Sequence, residues 1–159
     1  VVALLPTAVF GPGDVKPTTS LVIREAGRGR IPFYFEAVIN AVDGRDVAAT
    51  HLAAAERGRA GERYILGGHN VTLRALLEVV DRCQGVHRRR LRLPRALLSA
   101  LVLLSDALPF ATLPDHLRMF AFWCPVNAQK AERELGHVAR PIEETIRDTL
   151  AWFELLKQR

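Results

Sequence analysis

Cysteine is scarce in this sequence of 159 residues, and this scarcity argues against disulfide-rich and zinc-binding classes of protein. Cys83 and Cys124 are the only two, no CxxC pair is present, and the five histidines show no paired metal-ligand spacing. A disulfide framework and a structural zinc site both need denser cysteine or histidine patterns than this. We therefore expect no metal site and a reducing, cytoplasmic environment.

Long hydrophobic runs are also missing. The longest, ALLSALVLL over Ala96 to Leu104, is followed by Asp106 and Pro109. A membrane-spanning helix needs about 20 apolar residues, so this run is too short. It predicts a helix that covers a pocket or a core. Arg92 and Arg95 before it leave contact with a membrane surface as the less favoured alternative. No secretory leader is visible at the start of the sequence.

The common catalytic and phosphate-binding motifs are absent. The segment GPGDVK fails the dinucleotide pattern GxGxxG because Lys16 stands where the third glycine belongs, and Pro12 disturbs the turn. No GxxxxGK[ST] or GxSxG occurs, and the serines lie within helical patterns. The residues alone therefore predict no catalytic apparatus.

Positive charge is present, with a net charge of +5 carried mainly by arginine. Such a balance invites a nucleic-acid or anionic-membrane partner. However, the arginines are scattered, which favours a compositional origin. In the run Arg88 to Arg90, a strand would turn Arg89 away from its neighbours, and no aromatic platform accompanies it. We expect no nucleic-acid binding.

Short apolar runs alternate with amphipathic segments, which predicts an α/β fold. Strands are predicted at 1–5, 31–36, 39–42, 63–68 and 87–94, with a turn at His69 and Asn70. Helices are predicted after Thr18 or Thr19, after Asp46, after Thr72, near 95–107 and 114–123, and from Pro141 to the end.

Two helices have faces that the pattern predicts. The helix after Asp46 should bury Val47, Ala48, His51, Leu52 and Ala55, which makes His51 a core histidine rather than a ligand. The last helix should bury Ile142, Ile146, Leu150 and Phe153, with two glutamates in its positive first turn.

The combination of four segments in order carries a family resemblance. PTAVFGPGD, NAVDGRDVAATHLAAAERGRAGERYILGG, VTLRALLEVV and RPIEETIRDTLAWF together resemble the back half of an extended short-chain dehydrogenase/reductase. The resemblance is to the NAD-dependent epimerase/dehydratase family, in the branch of dihydroflavonol-4-reductase-like proteins and hopanoid-associated sugar epimerases. It implies the last strands of a Rossmann-type parallel sheet plus a mainly helical substrate-binding lobe, as one segment over 1–159. The N-terminal cofactor-binding half is then absent from this sequence.

The resemblance also implies roles for particular residues. Four match the segment along the nicotinamide end of the cofactor: Pro6, Thr7, Ala8 and Val9. Three match positions near the substrate cleft: Phe10, Thr18 and Asn40. Asp46 matches an acidic residue at the start of a helix, where we favour a capping role over ligand binding.

Family chemistry uses a tyrosine with lysine four residues on, and this chain has no such pair. Tyr34 is followed at that spacing by Val38, and Tyr64 by Gly68. We therefore assign no catalytic residue and expect NAD or NADP in the parent protein, with none bound by this chain alone. Ile39 stands where sugar-nucleotide epimerases carry a diphosphate-binding arginine. The substrate implied is a small carbonyl or sugar-like molecule.

Two interpretations remain open. The favoured one is the substrate-binding C-terminal part of an NAD(P)-dependent epimerase or reductase, inactive without its N-terminal half. The alternative is a non-catalytic, stand-alone or partner-binding module derived from that family, which pairs with another chain or with itself as a homodimer.

Overall fold

The structure, a computed structural model, describes residues 1–94, 96 and 124–157. Its strands are β1 (Ala3–Pro6), β2 (Ala8–Phe10), β3 (Phe33–Phe35), β4 (Val38–Asp43), β5 (Arg63–Leu66), β6 (His69–Thr72) and β7 (Leu91–Leu93). Its helices are α1 (Leu21–Gly27), α2 (Gly44–Arg57), α3 (Leu73–Cys83), α4 (Gln129–Leu135) and α5 (Ile142–Lys157). The helices predicted near 95–107 and 114–123 lie outside the described residues, apart from Ala96.

The strands form three small sheets. β1 pairs in parallel with β5, β3 pairs in parallel with β7, and β4 lies between a parallel β2 and an antiparallel β6. In the central sheet Ala8 lies opposite Ala41, and Phe10 opposite Asp43. The α/β prediction is confirmed, and the parallel pairs bring the carboxyl ends of β2 and β4 to the same edge.

Strand β4 is the centre of the packing because both of its faces are covered. Ile39 and Ala41 belong to a core that β2 and β3 share with helices α1, α3 and α5. Val42 belongs to a second core with α2, β5 and α4. Alternate strand residues point to opposite faces, so a strand buried on both sides must be apolar throughout or pair its polar groups. Asn40 and Asp43 are the polar exceptions, and both are hydrogen-bonded.

Strand β1 is present as predicted and is only partly buried. Its first two residues are half-buried and its last two are exposed, with Leu5 at 47%. Its partner β5 exposes 38% of Ile65 while it buries Tyr64 and Leu66. One face of this pair is therefore packed and the other is open.

The buried face of α2 differs from the prediction. Asp43, not Asp46, is the N-cap residue, since its carboxylate accepts a hydrogen bond from the backbone N–H of Arg45. The buried residues are Asp46, Val47, Thr50 and Ala54. Ala48, His51, Leu52 and Ala55 of the predicted face are exposed, with Leu52 at 72%. His51 Nδ1 lies 2.8 Å from the Val47 carbonyl of its own helix.

Two further local predictions are wrong, and a third is right only over part of its range. His69 and Asn70 form the start of β6 rather than a turn, because the turn is made by the two preceding glycines. Helix α1 has Ser20 at its N-cap, where the side chain makes no capping bond and instead contacts Asp14. The strand predicted over 87–94 is confined to β7.

The last helix and the Thr72 cap are confirmed. Thr72 accepts a hydrogen bond from the backbone N–H of Ala75 at 3.1 Å. In α5, Ile146 and Phe153 are buried as predicted, and two threonines join the buried face. The Trp152 indole N–H donates to the Asp14 carbonyl at 3.0 Å, which fastens α5 to the loop after β2.

Candidate functional site

The junction between β1 and β2 carries the four residues predicted to contact a cofactor. Pro6 ends β1 and is exposed, while Thr7, Ala8 and Val9 are half-buried. The Thr7 backbone N–H donates to the Leu66 carbonyl at 3.2 Å. Its hydroxyl donates to the Asn40 side-chain oxygen at 2.7 Å. The segment is therefore held between β5 and β4.

Asn40 lies in the middle of β4 and is 5% exposed. Its Oδ1 accepts from the Thr7 hydroxyl and from the Gly68 backbone N–H, each within 2.8 Å. Its Nδ2 donates to the Gly68 carbonyl at 3.3 Å and to Oδ1 of Asn70 at 2.8 Å. Both lone pairs and both protons of the amide are used, which is how a buried amide avoids a desolvation penalty.

Asn70 extends this network to a distant part of the chain. Its Nδ2 donates to the Val126 carbonyl at 2.9 Å, and its Oδ1 accepts from the Val126 backbone N–H at 3.0 Å. Sequence reasoning missed Asn70 because it was predicted to lie in a turn. A prediction of a strand at this position would have identified Asn70, because the register of β4 and β6 places Asn70 opposite Asn40.

The remaining predicted site residues lie apart from this network. Phe10 is 2% exposed and belongs to the larger core. Thr18 is exposed in the loop before α1, where its backbone carbonyl accepts from the Leu21 N–H. The structure thus brings Thr7 and Asn40 into contact, and buries Phe10.

A charged cluster lies at the edge where β4 ends and α2 begins. Asp46 accepts from the Arg140 backbone N–H at 2.9 Å and from its guanidinium at 2.7 and 3.0 Å. Arg45 pairs with Asp43 and, at 2.7 Å, with Asp148 of α5. Asp46 is therefore an ion-pair partner that anchors the segment before α5, and not the predicted helix cap.

The protonation of Asp43 follows from these contacts. Burial raises the pKa of its carboxyl, but hydrogen bonds from Arg45 and Thr145 outweigh this and hold the pKa below its ordinary value. The same contact with Asp43 raises the pKa of Arg45. Both groups stay charged near neutral pH, so this cluster holds α2 and α5 together and is unsuited to proton transfer.

A buried histidine braces the glycine turn beside Asn40. His137 is 3% exposed, and its Nε2 lies 2.7 Å from the Gly67 carbonyl. Its Nδ1 lies 2.7 Å from the Thr50 hydroxyl on α2. The carbonyl only accepts, so Nε2 carries a proton and donates it. The ring therefore cross-links α2 to the turn after β5.

A cavity of about 590 Å³ opens beside the start of β4. Its walls include Tyr34, Phe35, Thr72, Arg74, Arg92 and Cys124. Arg74 pairs with Glu78 at 2.8 Å and Arg92 with Glu36 at 3.0 Å, so both guanidiniums already have carboxylate partners. Sequence reasoning did not identify this cavity, because its walls come from β3, β6, β7 and the chain near 124.

Within the part of the chain that the structure describes, no three His, Cys, Asp or Glu side chains are placed to hold a metal ion. Among the same residues, no helix combines the length and apolar character needed to cross a membrane.

No family model matches the chain. It is 32% identical over 165 residues to a Synechocystis protein named "Putative dihydroflavonol 4-reductase", a match that covers 97% of this chain and 48% of that protein. The crystal structure of gox2253 is 34% identical with a TM-score of 0.79, and covers 98% of this chain and 49% of that one. PA4631, a nucleoside-diphosphate-sugar epimerase from Pseudomonas aeruginosa, is 29% identical with a TM-score of 0.82, over 98% of this chain and 48% of that one.

More distant solved structures share the fold alone. They include RMD from Pseudomonas aeruginosa complexed with NADPH, at 16% identity and a TM-score of 0.66. Another is a Thermotoga maritima UDP-glucose 4-epimerase with UDP-glucose, at 19% identity and a TM-score of 0.69. The chain spans about half the length of the curated relatives that it matches.

Proposed function

Because this chain belongs to the extended short-chain dehydrogenase/reductases, among NAD-dependent epimerase/dehydratases and dihydroflavonol-reductase-like proteins, we propose that it supplies the substrate-binding part of an NAD(P)-dependent epimerase or reductase. Its α/β architecture matches the C-terminal half of Rossmann-type structures of that family, as the sequence predicted. Activity then requires the cofactor-binding half that the family possesses and this chain does not span.

The contact between Thr7 and Asn40 carries this proposal. It joins the segment assigned to the nicotinamide, Pro6 to Val9, to the strand assigned to the substrate cleft. Since the Asn40 amide has all of its hydrogen-bonding positions filled, its role is to place Thr7 rather than to bind substrate directly. The bound nicotinamide would supply hydride transfer, and this chain would supply binding and orientation.

The substrate is a small carbonyl or sugar-like molecule, and the cavity beside the start of β4 is the place for it. The aromatic side chains of Tyr34 and Phe35 suit an apolar or sugar-ring surface. The two arginines of the cavity are each paired to a carboxylate, which supports a substrate without a diphosphate. A cytoplasmic location accords with the two cysteines, which are both free thiols.

Hydrogen–deuterium exchange tests the cofactor assignment. In the product of the complete reading frame, NADH or NADPH should slow exchange in peptides that contain 6–10, because a bound nicotinamide covers this segment. Peptides from α4 are the internal control and should not change. The isolated chain should show no nicotinamide-dependent turnover. If neither nucleotide protects 6–10 at millimolar concentration, the assignment is wrong.

A partner-binding module is the second candidate, favoured by the open face of the β1–β5 pair. Leu5 and Ile65 are exposed there, and within the described part of the chain this sheet consists of two strands. Exposed apolar strand edges invite pairing with another chain. Light scattering coupled to size-exclusion chromatography tests this: a homodimer or a stable complex supports the candidate, and a monomer from micromolar to millimolar concentration removes it.

A further inference from the structure

Four residues form an unbroken series of hydrogen bonds across the molecule. It runs from the Thr7 hydroxyl through the amides of Asn40 and Asn70 to the backbone of Val126, with links of 2.7, 2.8, 2.9 and 3.0 Å. We call these four residues the amide relay. One end lies on the junction between β1 and β2. The other end lies one residue from Pro125, which lines the cavity beside β4.

We propose that the amide relay couples the conformation of the β1–β2 junction to the position of the chain at 124–126, with Asn70 as the positioning residue. Occupancy at Thr7 would then set the shape of one wall of the cavity. The inference rests on the proposed function in one respect, which is that the ligand at Thr7 is the nicotinamide cofactor. The coupling itself is a property of the described residues.

Asn70 holds Val126 by two bonds at once. A side-chain amide that both donates to and accepts from one backbone residue fixes its position and its orientation, as a paired strand would. Cys124 and Pro125 are exposed at the cavity wall. Moving Asn70 therefore moves this wall.

The Asn40 amide transmits the effect because it has little freedom to adjust. A Cβ built on Gly67 would lie 2.8 Å from Asn40 Oδ1, and one on Gly68 would lie 2.1 Å from the Ala41 carbonyl. Only glycine lets the backbone approach β4 this closely. The Asn40 amide group is planar, so a movement of its Oδ1, which accepts from Thr7, also displaces its Nδ2, which donates to Asn70.

Amide exchange of Val126, followed by NMR in the product of the complete reading frame, tests the coupling. Its N–H donates to Asn70, so its exchange rate reports release of that bond. Thr7→Val removes the hydroxyl at the far end, and we expect Val126 exchange to rise about fivefold, the population change for one lost hydrogen bond. Thr7→Ser keeps the hydroxyl and should restore the original rate. Asn70→Ala calibrates the fully released state.

Thr149→Val is the matched control. It removes another buried hydroxyl, which donates to the Thr145 carbonyl of its own helix at 2.6 Å. The coupling is overturned if Thr7→Val leaves Val126 exchange at the Thr149→Val level, or if it raises exchange equally at core amides such as that of Ile146. NADPH tests the proposed function separately: if it leaves exchange unchanged while Thr7→Val raises it, the coupling stands and the cofactor assignment fails.

Discussion

Asp81 near the end of α3 should be worth more to stability than any exposed carboxylate on that helix. Its side chain is 5% exposed and pairs with Arg90, itself 6% exposed, at 2.6 and 2.8 Å. Arg88 adds a bond of 2.8 Å from its guanidinium and one of 3.3 Å from its backbone N–H. A carboxylate near the negative end of a helix is otherwise unfavourable, so the two arginines determine its effect.

Asp81→Asn should destabilise the fold by about 3 kcal/mol, because it leaves the buried Arg90 guanidinium without a counter-charge. We take the lower end of the range for such losses, since Arg90 keeps its bond to the Ile31 carbonyl. With a urea dependence of about 2 kcal/mol per molar, the unfolding midpoint should fall by about 1.5 M. Urea unfolding followed by circular dichroism gives this number directly.

Glu78→Gln is the control on the same helix. Glu78 pairs with Arg74 in an i,i+4 contact, and both side chains are exposed. Such pairs contribute about 0.5 kcal/mol or less. If Asp81→Asn costs no more than Glu78→Gln, the reasoning about buried charge here is wrong.

The same pair predicts a pH dependence. Burial raises the pKa of Asp81, but hydrogen bonds from Arg90 and Arg88 outweigh it, so the pKa lies below its ordinary value. A carboxyl with a lowered pKa stabilises the fold above its unfolded pKa of about 3.9, and this stabilisation is lost as pH falls through the folded value. The difference in the free energy of unfolding between the unsubstituted protein and Asp81→Asn should therefore be constant above about pH 5 and shrink below about pH 4.

Other substitutions test the packing around the site, each by urea unfolding. Gly68→Ala should cost about 2 kcal/mol because its Cβ meets a backbone carbonyl of β4, whereas Gly44→Ala, with only ordinary contacts at 3.5 Å, should be neutral or stabilising. His137→Ala should cost about 2–3 kcal/mol because it leaves the Gly67 carbonyl without its donor and opens a cavity at a buried position, while His51→Ala on the exposed face should change little. Trp152→Phe removes one hydrogen bond to the loop after β2 and should cost about 1 kcal/mol. Equal effects within either matched pair would contradict these contacts.

Capping residues and the spacing of apolar residues predicted those helices whose position depends on neighbouring residues in the sequence. The Thr72 cap and the buried face of α5 follow from spacing, and helices α3 and α5 are both present. The α/β class also follows, since strands and helices alternate along the chain. The family resemblance supplied the Rossmann-type assignment, which the patterns alone did not contain.

The buried face of α2 was unpredictable from its own residues because its polar members are paired far along the chain. Asp46 meets Arg140, 94 residues away, and Thr50 meets His137, 87 residues away. The amphipathic pattern assigns Asp and Thr to the exposed face of a helix. The prediction therefore placed Leu52, rather than Asp46 and Thr50, on the buried face of α2. The same limit hid the amide relay, whose successive contacts join residues 33, 30 and 56 positions apart.

Helix α5 has a consequence for the order in which the chain is made. It packs against α1, α3, β2 and β4, and its Ile146 is fully buried in the larger core. Trp152 reaches back 138 residues to the loop after β2. On the ribosome, β2 and β4 therefore emerge long before the helix that shields them, and their apolar faces stay open to chaperones or to neighbouring chains until α5 has been synthesised. A premature stop shortly before α5 would yield a product with every earlier element and no means of closing its core.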